Sequence, residues 1–422
     1  MTGPAGGDGD PRARPPLTRR ELLAGAAGAL AGGVAAQLPV PPLARAQPAA
    51  PLAGQPDPTK VQGAPTSAVG TRAAFEQPRR TPGSISSETP LQDLLGTITP
   101  SDLHYERHHA GVPRIDPAQY RLTIHGLVDR PTVFTLDDLK RFPSVSRVCF
   151  LECSGNFPRN APEETSPQDV CGLTSNSEWT GVPLATVFRE VGTRAGAAWF
   201  LAEGGDAALM TRSIPMEKAW DDALLVYGQN GEALRPEQGY PVRLLCPGWE
   251  GNMSVKWLRR LELADAPFMT REETSKYTEA IKGGVARQFS FVMDARSIIT
   301  SPAYPHTVKP GWLEIRGLAW SGRGRISRAE LSFDEGRTWR AAELQTPVFP
   351  KAHTRFRYPW RWDGAETTVL SRATDETGYV QPTQRELIDA RGLGSGPYHL
   401  NPITGWRLRR DGRVVYRREA WA

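Results

Sequence analysis

The hydrophobic pattern of the sequence changes near residue 287, and this change constrains the fold most. Residues 91–286 mix short strand patterns with short helix patterns. Beyond them helical periodicity disappears, and short apolar or alternating segments are separated by turn residues. A chain of 422 residues also exceeds what one hydrophobic core usually serves. The sequence therefore predicts an α+β domain over residues 91–286 and an antiparallel β domain over residues 287–422.

Two helices of the first domain are predicted from the signals at their ends. Thr135 followed by Asp138 forms a capping pair for a helix that reaches Lys140. A proline in the first turn and a glycine after the last turn delimit a second helix, residues 183–191. Its apolar face consists of Leu184, Val187, Phe188 and Val191. The predicted strands of this domain are residues 120–125, 148–151, 224–227 and 242–246.

The second domain has the pattern of an antiparallel sandwich of immunoglobulin type. Its predicted strands are residues 312–320, 326–333, 339–344, 356–362 and 368–373. The arginine-rich segment 406–418 surrounds an Asp-Gly turn. It is either a solvated hairpin or a docking surface.

The first 46 residues have the pattern of a twin-arginine export signal. Arg19 and Arg20 precede an apolar run, and residues 44–46 offer an A-x-A cleavage site. A membrane anchor is the alternative, but the run is short, rich in Gly and Ala, and followed by prolines. The pattern predicts a protein exported folded to the periplasm, with no membrane span in the mature chain. Residues 47–90 are predicted to be a linker or an extended arm, with order beginning near Leu91.

Net charge and cysteine spacing argue against nucleic-acid binding, haem attachment and a disulfide framework. The formal net charge is +5, of which the first 46 residues contribute about two units, so the sequence gives no indication of nucleic-acid binding. The four cysteines form neither a CxxC pair nor a CxxCH haem motif. Cys149 and Cys153 point to the same face of a predicted strand, so a disulfide framework is not expected.

The segment RVCFLECSGN carries the first candidate site. A buried strand ends there at Cys153, and Ser, Gly and Asn follow at once. A thiolate held rigidly at a strand end suits a soft transition metal. A buried and inert cysteine is the alternative.

Three basic segments could bind an anion. Arg107 and His109 lie just before the first strand, where they could clamp an oxyanion, although a surface loop would look the same. Arg243 lies within an apolar run, where a guanidinium requires an anionic partner. A glycine-rich loop leads to Lys256 and could cradle a phosphate, or could simply be a tight loop.

Several motifs occur in an order that resembles the sulfite oxidase family of molybdenum enzymes. These motifs are YERHHAGVP, CSGN, SEWTGVPL, GYPVRLLCPGWEGNMSVKWLRRL and LSFDEGRTW, and the similarity runs from about residue 98 to the C-terminus. Within that family, TITPSDLHYERHHAGVP, REETSKY and PYHLNPITGW are most similar to the SoxC branch, the molybdenum subunit of the sulfane dehydrogenase. The resemblance implies a molybdopterin domain followed by an immunoglobulin-like dimerisation domain.

The resemblance also implies roles for individual residues. Cys153 matches the thiolate ligand of molybdenum, whose other sulfur ligands come from one molybdopterin. Arg107 matches an arginine that faces the oxyanion, Tyr277 an active-site tyrosine and Trp179 a pocket tryptophan. Positions that match cofactor-binding residues are Tyr105, His109, Arg243, Ser254, Val255 and Lys256.

Three positions depart from the family pattern. Pro158 occupies the place of a family arginine, so Arg159, one residue later, becomes the candidate catalytic arginine. Gln238 and Ser254 stand where the family has histidines. These changes affect the anion pocket, and they suit a substrate other than free sulfite.

The implied activity is oxygen-atom transfer to reduced sulfur in the periplasm. Since the chain has no haem motif, electrons would pass to a separate c-type cytochrome subunit. The implied substrate is sulfane sulfur on a cysteine of a sulfur-carrier protein, and the implied assembly is a homodimer within a hetero-oligomer. A sulfite dehydrogenase and a cofactor-free periplasmic scaffold are the alternatives.

Overall fold

The computed structural model describes residues 60, 62–392 and 398–417. Residues Val69–Ala422 form one compact unit. The predicted export signal lies outside the described residues. Within the described ranges, no helix is both long and apolar enough to span a bilayer.

The first half of the folded unit contains short strands and short helices. Its strands are β1 (Thr81–Pro82), β2 (Ser86–Glu88), β3 (Glu106–Arg107), β4 (Leu122–Gly126), β5 (Thr132–Phe134), β6 (Val145–Glu152), β7 (Thr174–Pro183), β8 (Trp199–Gly204), β9 (Thr211–Pro215), β10 (Leu224–Gln229), β11 (Glu232–Ala233), β12 (Arg243–Leu245), β13 (Leu258–Ala264), β14 (Glu279–Ile281) and β15 (Val285–Arg287). Its α-helices are α1 (Leu136–Lys140), α2 (Pro167–Cys171), α3 (Leu184–Val191) and α4 (Met216–Asp221). Its 3₁₀ turns are Leu91–Asp93, Ser101–Leu103, Pro236–Gln238 and Gly251–Met253, and a π-helical turn spans Glu272–Lys276.

Two five-stranded sheets dominate this half. One has the order β11-β10-β7-β6, with β12 also paired to β10, and the other has the order β5-β4-β13-β8-β9. The β13–β4 pair is parallel, whereas the other pairs in these two sheets are antiparallel. Helix α3 packs Leu184, Val187 and Phe188 into the core between these elements. The predicted caps are present, since Thr135 and Asp138 form a capping box and Gly192 ends α3 in the left-handed region.

The second half is a sandwich of two antiparallel sheets, which confirms the predicted immunoglobulin-like domain. Its strands are β16 (Arg296–Ser301), β17 (Gly311–Trp320), β18 (Ile326–Ser332), β19 (Arg340–Ala341), β20 (Glu343–Leu344), β21 (Thr354–Trp362), β22 (Thr367–Asp375), β23 (Thr404–Leu408) and β24 (Val414–Tyr416), with one helix α5 (Gln384–Arg391). The sheet orders are β16-β17-β21-β20 and β19-β18-β22-β23-β24. Trp320, Phe356, Trp362 and Trp406 lie in the shared core.

Three local predictions were wrong. Helix α5 occurs where no helix was expected. It buries only two side chains, so the sequence shows no apolar stripe, and a Thr383–Glu386 capping box stabilises its first turn. Ordered pairing begins at β1, ahead of Leu91, because β1 and β2 join β3 in a small sheet. The predicted strand 339–344 is two short strands, because the chain crosses there from one sheet of the sandwich to the other.

The arginine-rich segment is a hairpin, β23 and β24, as far as the structure describes it. One face is buried, since Trp406, Leu408 and Val414 belong to the sandwich core. The hairpin is therefore an edge of the sheet and is not fully solvated. All four cysteines are free thiols.

Candidate active site

A cavity in the first half of the unit brings together most of the residues predicted from the sequence. Its volume is about 690 Å³ when the open mouth is included. The predicted residues that line it are Tyr105, Arg107, His109, Cys153, Arg243, Ser254, Val255, Lys256 and Tyr277. Five separate segments of chain therefore converge on one site, which local sequence patterns alone could not show.

Cys153 lies one residue beyond strand β6 and at the wall of this cavity. Its backbone N–H donates to Leu173 at 2.9 Å, and its carbonyl accepts from Asn156 at 3.0 Å, so the loop is closed on both sides. Burial raises the pKa of the Cys153 thiol, while the backbone N–H of Gly155 and the charge of Arg107 act against that shift. A positive centre bound at the thiol would favour the thiolate.

A buried carboxylate holds the end of strand β6 in place. Glu152 accepts from Asn156 at 3.0 Å, from Arg296 at 2.8 Å and from the indole of Trp320 at 2.7 Å. The last two donors belong to the sandwich. The second half of the chain therefore helps to fix the position of Cys153, through its hydrogen bonds to the residue before it.

Arg107 and Tyr277 stand beside Cys153 in the cavity lining. The Tyr277 hydroxyl lies 3.5 Å from Nε2 of His109, and the guanidinium of Arg212 lies 4.6 Å from the centre of the Tyr277 ring. Burial raises the pKa of Tyr277, and nearby Cys153 adds to the shift, so the phenol remains a hydrogen-bond donor. Burial and Arg107 lower the pKa of His109, which favours the neutral imidazole.

The inner end of the cavity holds a guanidinium with no carboxylate partner among the described residues. Arg243 is 3% exposed and donates only to the carbonyls of Gln238 (3.0 Å) and Ser254 (2.9 Å). Desolvation lowers its pKa to about 10. Its guanidinium lies 5.2 Å from the ring centre of Trp179. A buried cation in this state is stabilised by an anion from outside the chain.

Lys256 adds a second cation to the same wall. Its ammonium group donates to the carbonyls of Arg107 (3.2 Å) and Glu237 (2.9 Å) and to Nδ1 of His108 (2.8 Å). Burial, together with the charge of Arg243, lowers the pKa of Lys256 well below its usual value. A bound phosphate would raise the pKa of Lys256 again, because its negative charge would offset both the burial and the charge of Arg243.

The remaining predicted residues lie outside the lining. Trp179 is fully buried beneath Arg243, and its indole donates to the carbonyl of Cys149 at 3.1 Å. Arg159 follows the cysteine loop and is not among the described residues that line the cavity. Trp179 therefore packs against Arg243 and does not itself line the cavity.

Sequence reasoning missed several residues of the site. Asp206 and His104 line the cavity, are at least 95% buried, and each carries an unpartnered polar atom, Oδ1 and Nε2 respectively. Desolvation lowers the pKa of His104 to about 3, so its ring is neutral. Asp206 lies two residues beyond the end of strand β8, in a Gly-Gly-Asp turn, and small residues at a strand end are also the signal that identified Cys153.

These groups fit a molybdopterin. The unpartnered Nε of Arg243 is a donor, whereas Oδ1 of Asp206 is an acceptor, and both are buried in one cavity. A pterin phosphate offers anionic oxygens and ring N–H groups at once, so it satisfies both kinds of atom. The described residues contain no cluster of three or more His, Cys, Asp or Glu that could hold a metal, and Cys153 is the protein thiol available for molybdenum. A cofactor-free scaffold would leave these buried groups unsatisfied.

Comparison with known proteins agrees with this chemistry. Residues 109–272 match the family described as oxidoreductase molybdopterin binding domain, and residues 287–405 match the Mo-co oxidoreductase dimerisation domain. The fold and the site thus define a molybdopterin-dependent oxidoreductase.

Individual relatives show which family of molybdopterin oxidoreductases the chain belongs to. The chain is 31% identical to sulfite oxidase from Gallus gallus over 367 residues, which cover 76% of this chain and 78% of that protein. It is 43% identical to a chain in the crystal structure of the sulfane dehydrogenase SoxCD from Paracoccus pantotrophus, with a TM-score of 0.82, covering 87% of this chain and 100% of that one. The protein belongs to the sulfite oxidase family of molybdenum enzymes. It also matches the NADH nitrate reductase of Ulva prolifera at 32% identity over 71% of this chain, but spans only 40% of that enzyme's length.

Proposed function

We propose that this chain is the molybdenum subunit of a periplasmic sulfane dehydrogenase. The observation that carries the proposal is the cavity in which Cys153 lies beside Arg107 and Tyr277, with the unpaired cation Arg243 at the inner wall. The 43% identity to SoxCD, across the full length of that chain, supports the sulfane substrate.

The residues of the site divide into cofactor-binding and substrate-binding groups. Arg243 and Lys256 would hold the phosphate of the molybdopterin, and Cys153 would ligate the metal. When bound, the molybdenum group supplies an oxygen atom to a sulfur lone pair and accepts two electrons. Arg107 would attract the anionic sulfur, and the protonated phenol of Tyr277 would donate a hydrogen bond to the oxygen that it gains.

Each oxidation step balances with water as the oxygen source. A sulfane sulfur takes one oxygen atom from water, and two protons and two electrons are released. The electrons leave singly to a c-type cytochrome, which we assign to a separate subunit. The sulfur itself remains bonded to a cysteine of a sulfur-carrier protein.

Two substitutions in the pocket favour a substrate other than a small dianion. Gln238 donates its side-chain amide to the carbonyl of Tyr105 at 2.9 Å, and the Ser254 hydroxyl accepts from the N–H of Cys246 at 3.0 Å. Both positions carry histidine in the family pattern, so two potential cations are replaced by neutral groups that bond within the protein. The cavity around the cofactor therefore carries less positive charge than the family pattern implies, which favours a substrate of lower charge than sulfite.

The location and assembly belong to the same proposal. The twin-arginine pattern of the first 46 residues supports export of the folded, cofactor-loaded chain to the periplasm. The match of residues 287–405 to a dimerisation domain supports a homodimer of this chain, joined to the cytochrome subunit in a hetero-oligomer. Sedimentation of the purified chain tests the homodimer, and a monomer at micromolar concentration would contradict it.

Sulfite dehydrogenase is the second candidate, since the protein is 31% identical to a sulfite oxidase and Arg107 would also bind free sulfite. The two candidates are separated by the substrate that reduces cytochrome c. We expect the holoprotein, assayed with its cytochrome subunit, to oxidise a protein-bound persulfide faster than sulfite. High turnover of sulfite by the isolated chain would exclude the sulfane assignment.

Cys153→Ser tests the site itself, because serine keeps the size of the side chain but removes the soft ligand. We expect turnover below about 1% of wild type with either substrate. Cys149→Ala is the control, since Cys149 is a buried thiol of strand β6 that does not line the cavity. Full activity in Cys153→Ser would refute the assignment.

A further inference from the structure

A short segment of the C-terminal half packs on the cysteine loop. Residues 398–401 precede strand β23 of the sandwich, yet the N–H of His399 donates to the carbonyl of Ser154 at 2.8 Å. Arg391 donates to the carbonyl of His399 at 2.7 Å, and the Asn401 amide donates to the carbonyl of Ala295 at 2.9 Å. The segment is therefore anchored both to the molybdenum site and to the sandwich.

His399, the residue after Tyr398, has an unusual backbone conformation. Its φ is +53°, in the left-handed region that residues with a side chain rarely adopt. The imidazole is buried and lies 3.2 Å from Oε2 of Glu250, in the loop that also lines the cavity. A residue held in this region is maintained by its surroundings and often serves a site.

This geometry places Tyr398 at the edge of the active site. Its ring centre lies 5.3 Å from that of Tyr277, at an interplanar angle of 43°. A Cβ atom added to Gly155, two residues after Cys153, would lie 3.9 Å from the Tyr398 ring. Tyr398 is half-buried and extends the aromatic surface of Tyr277 beyond the cavity lining.

The entrance to Cys153 thus combines two kinds of surface. Arg107 supplies positive charge for an anionic sulfur, whereas Tyr277 and Tyr398 supply an aromatic surface. A compact dianion would interact only with the positive charge of Arg107. A sulfur at the end of an uncharged side chain can also pack its stem against the rings.

We propose that Tyr398 is a specificity-determining residue, whose ring binds the uncharged stem of a substrate that presents its sulfur end to the molybdenum group held by Cys153. The inference rests on the proposed function, because it assigns the recognition of a cysteine-bound sulfur to a named side chain. It makes the C-terminal segment a component of the substrate site.

Binding of two anions to the holoprotein tests this role without turnover. An S-alkyl thiosulfate carries a sulfonate at the end of an alkyl stem, whereas inorganic sulfate has no stem. By calorimetric titration, we expect Tyr398→Ala to weaken binding of the S-alkyl thiosulfate by about tenfold and that of sulfate by less than about twofold. Tyr398→Phe keeps the ring and should bind both anions like wild type.

Trp312→Ala is the control, since Trp312 is 49% exposed on a strand of the sandwich and does not line the cavity. Equal weakening of both anions, no change in either, or loss of molybdenum from Tyr398→Ala would overturn the inference. Failure of the proposed function gives a different result: the wild type would not oxidise a protein-bound persulfide, while the selective loss of S-alkyl thiosulfate binding would still be measured.

Discussion

At the residue scale, two buried arginines differ in what surrounds them. Arg243 and Arg355 are 3% and 1% exposed, and burial lowers the pKa of each to about 10. Arg355 donates to the carbonyls of Leu94 (2.9 Å) and Gly96 (2.7 Å), outside the cavity. Nε is unpartnered in both side chains, but only Arg243 lines the cavity. The two side chains therefore form a matched pair for separating cofactor binding from folding.

Arg243→Met should lower the molybdopterin content of the purified protein at least about tenfold, because the phosphate loses a buried cation. The same substitution leaves the buried carbonyls of Gln238 and Ser254 without their donor, so the cofactor-free chain should also melt at a lower temperature than wild type. Pterin released from the protein is measured by fluorescence, and thermal unfolding is followed on cofactor-free samples.

Arg355→Met is the control for this prediction. It removes the donor to the carbonyls of Leu94 and Gly96, so it should lower the melting temperature but not the cofactor content per folded chain. If both variants lose cofactor equally, the loss follows from general destabilisation and Arg243 does not bind the phosphate.

At the element scale, the loop between β12 and β13 depends on one close approach. A Cβ atom on Gly251 would lie 2.6 Å from the Tyr105 hydroxyl and 2.8 Å from the carbonyl of Glu152. Any side chain there pushes the loop away from strand β6, and with it Ser254 of the cofactor wall. Glycine is thus required at position 251 because there is no room for a Cβ atom. Its φ is not positive, so backbone conformation is not the reason.

Gly251→Ala should destabilise the protein by about 1–3 kcal/mol through overpacking. It should also reduce the molybdopterin content, because the loop carries cavity-lining residues. Gly70→Ala is the matched control, as nothing lies within 4 Å of a Cβ at that position. Both predictions are checked by measuring the thermal unfolding and the pterin content of the two variants. Unchanged values in Gly251→Ala would show that the loop can move without cost.

The sequence predicted those elements and site residues whose signals are local. Strand β6 ending at Cys153, helix α3 with its proline and glycine ends, and the buried Arg243 could all be recognised within a few neighbouring residues. Tyr398 and His104 could not, because their roles arise from contacts with distant segments. Helix α5 was missed for a different reason. Its capping residues are local, but its largely polar faces give no periodic hydrophobic signal.

At the scale of the whole molecule, the two halves of the folded unit share buried charges. The carboxylate of Glu152 is bonded to Arg296 and Trp320 of the sandwich, and Glu250 is bonded both to Arg212 and to His399. Such pairs add little net stability, but removing one partner strands the other in a low-dielectric interior. The sandwich therefore maintains the shape of the site in addition to any role in assembly.

The His399–Glu250 pair makes part of the stability of this arrangement dependent on pH. Burial alone would lower the pKa of His399, but the hydrogen bond and charge of Glu250 outweigh it, helped by Glu279 at 4.0 Å and opposed by Arg391, so the pKa is raised above 6.5. A group whose pKa is raised on folding contributes its full stability below its unfolded pKa, and that contribution is lost as the pH rises through the folded pKa.

We therefore expect the difference in melting temperature between wild type and His399→Gln to be largest below about pH 6.5 and to shrink at higher pH. Calorimetric scans between about pH 5.5 and 9 measure it. Repeating the comparison in a Glu250→Gln background should weaken this pH dependence, because the carboxylate that raises the pKa most is gone and only Glu279 remains. A difference that stays constant across the range, or one that grows with pH, would show that His399 is neutral in the folded protein and that the two halves are joined there by a simple hydrogen bond.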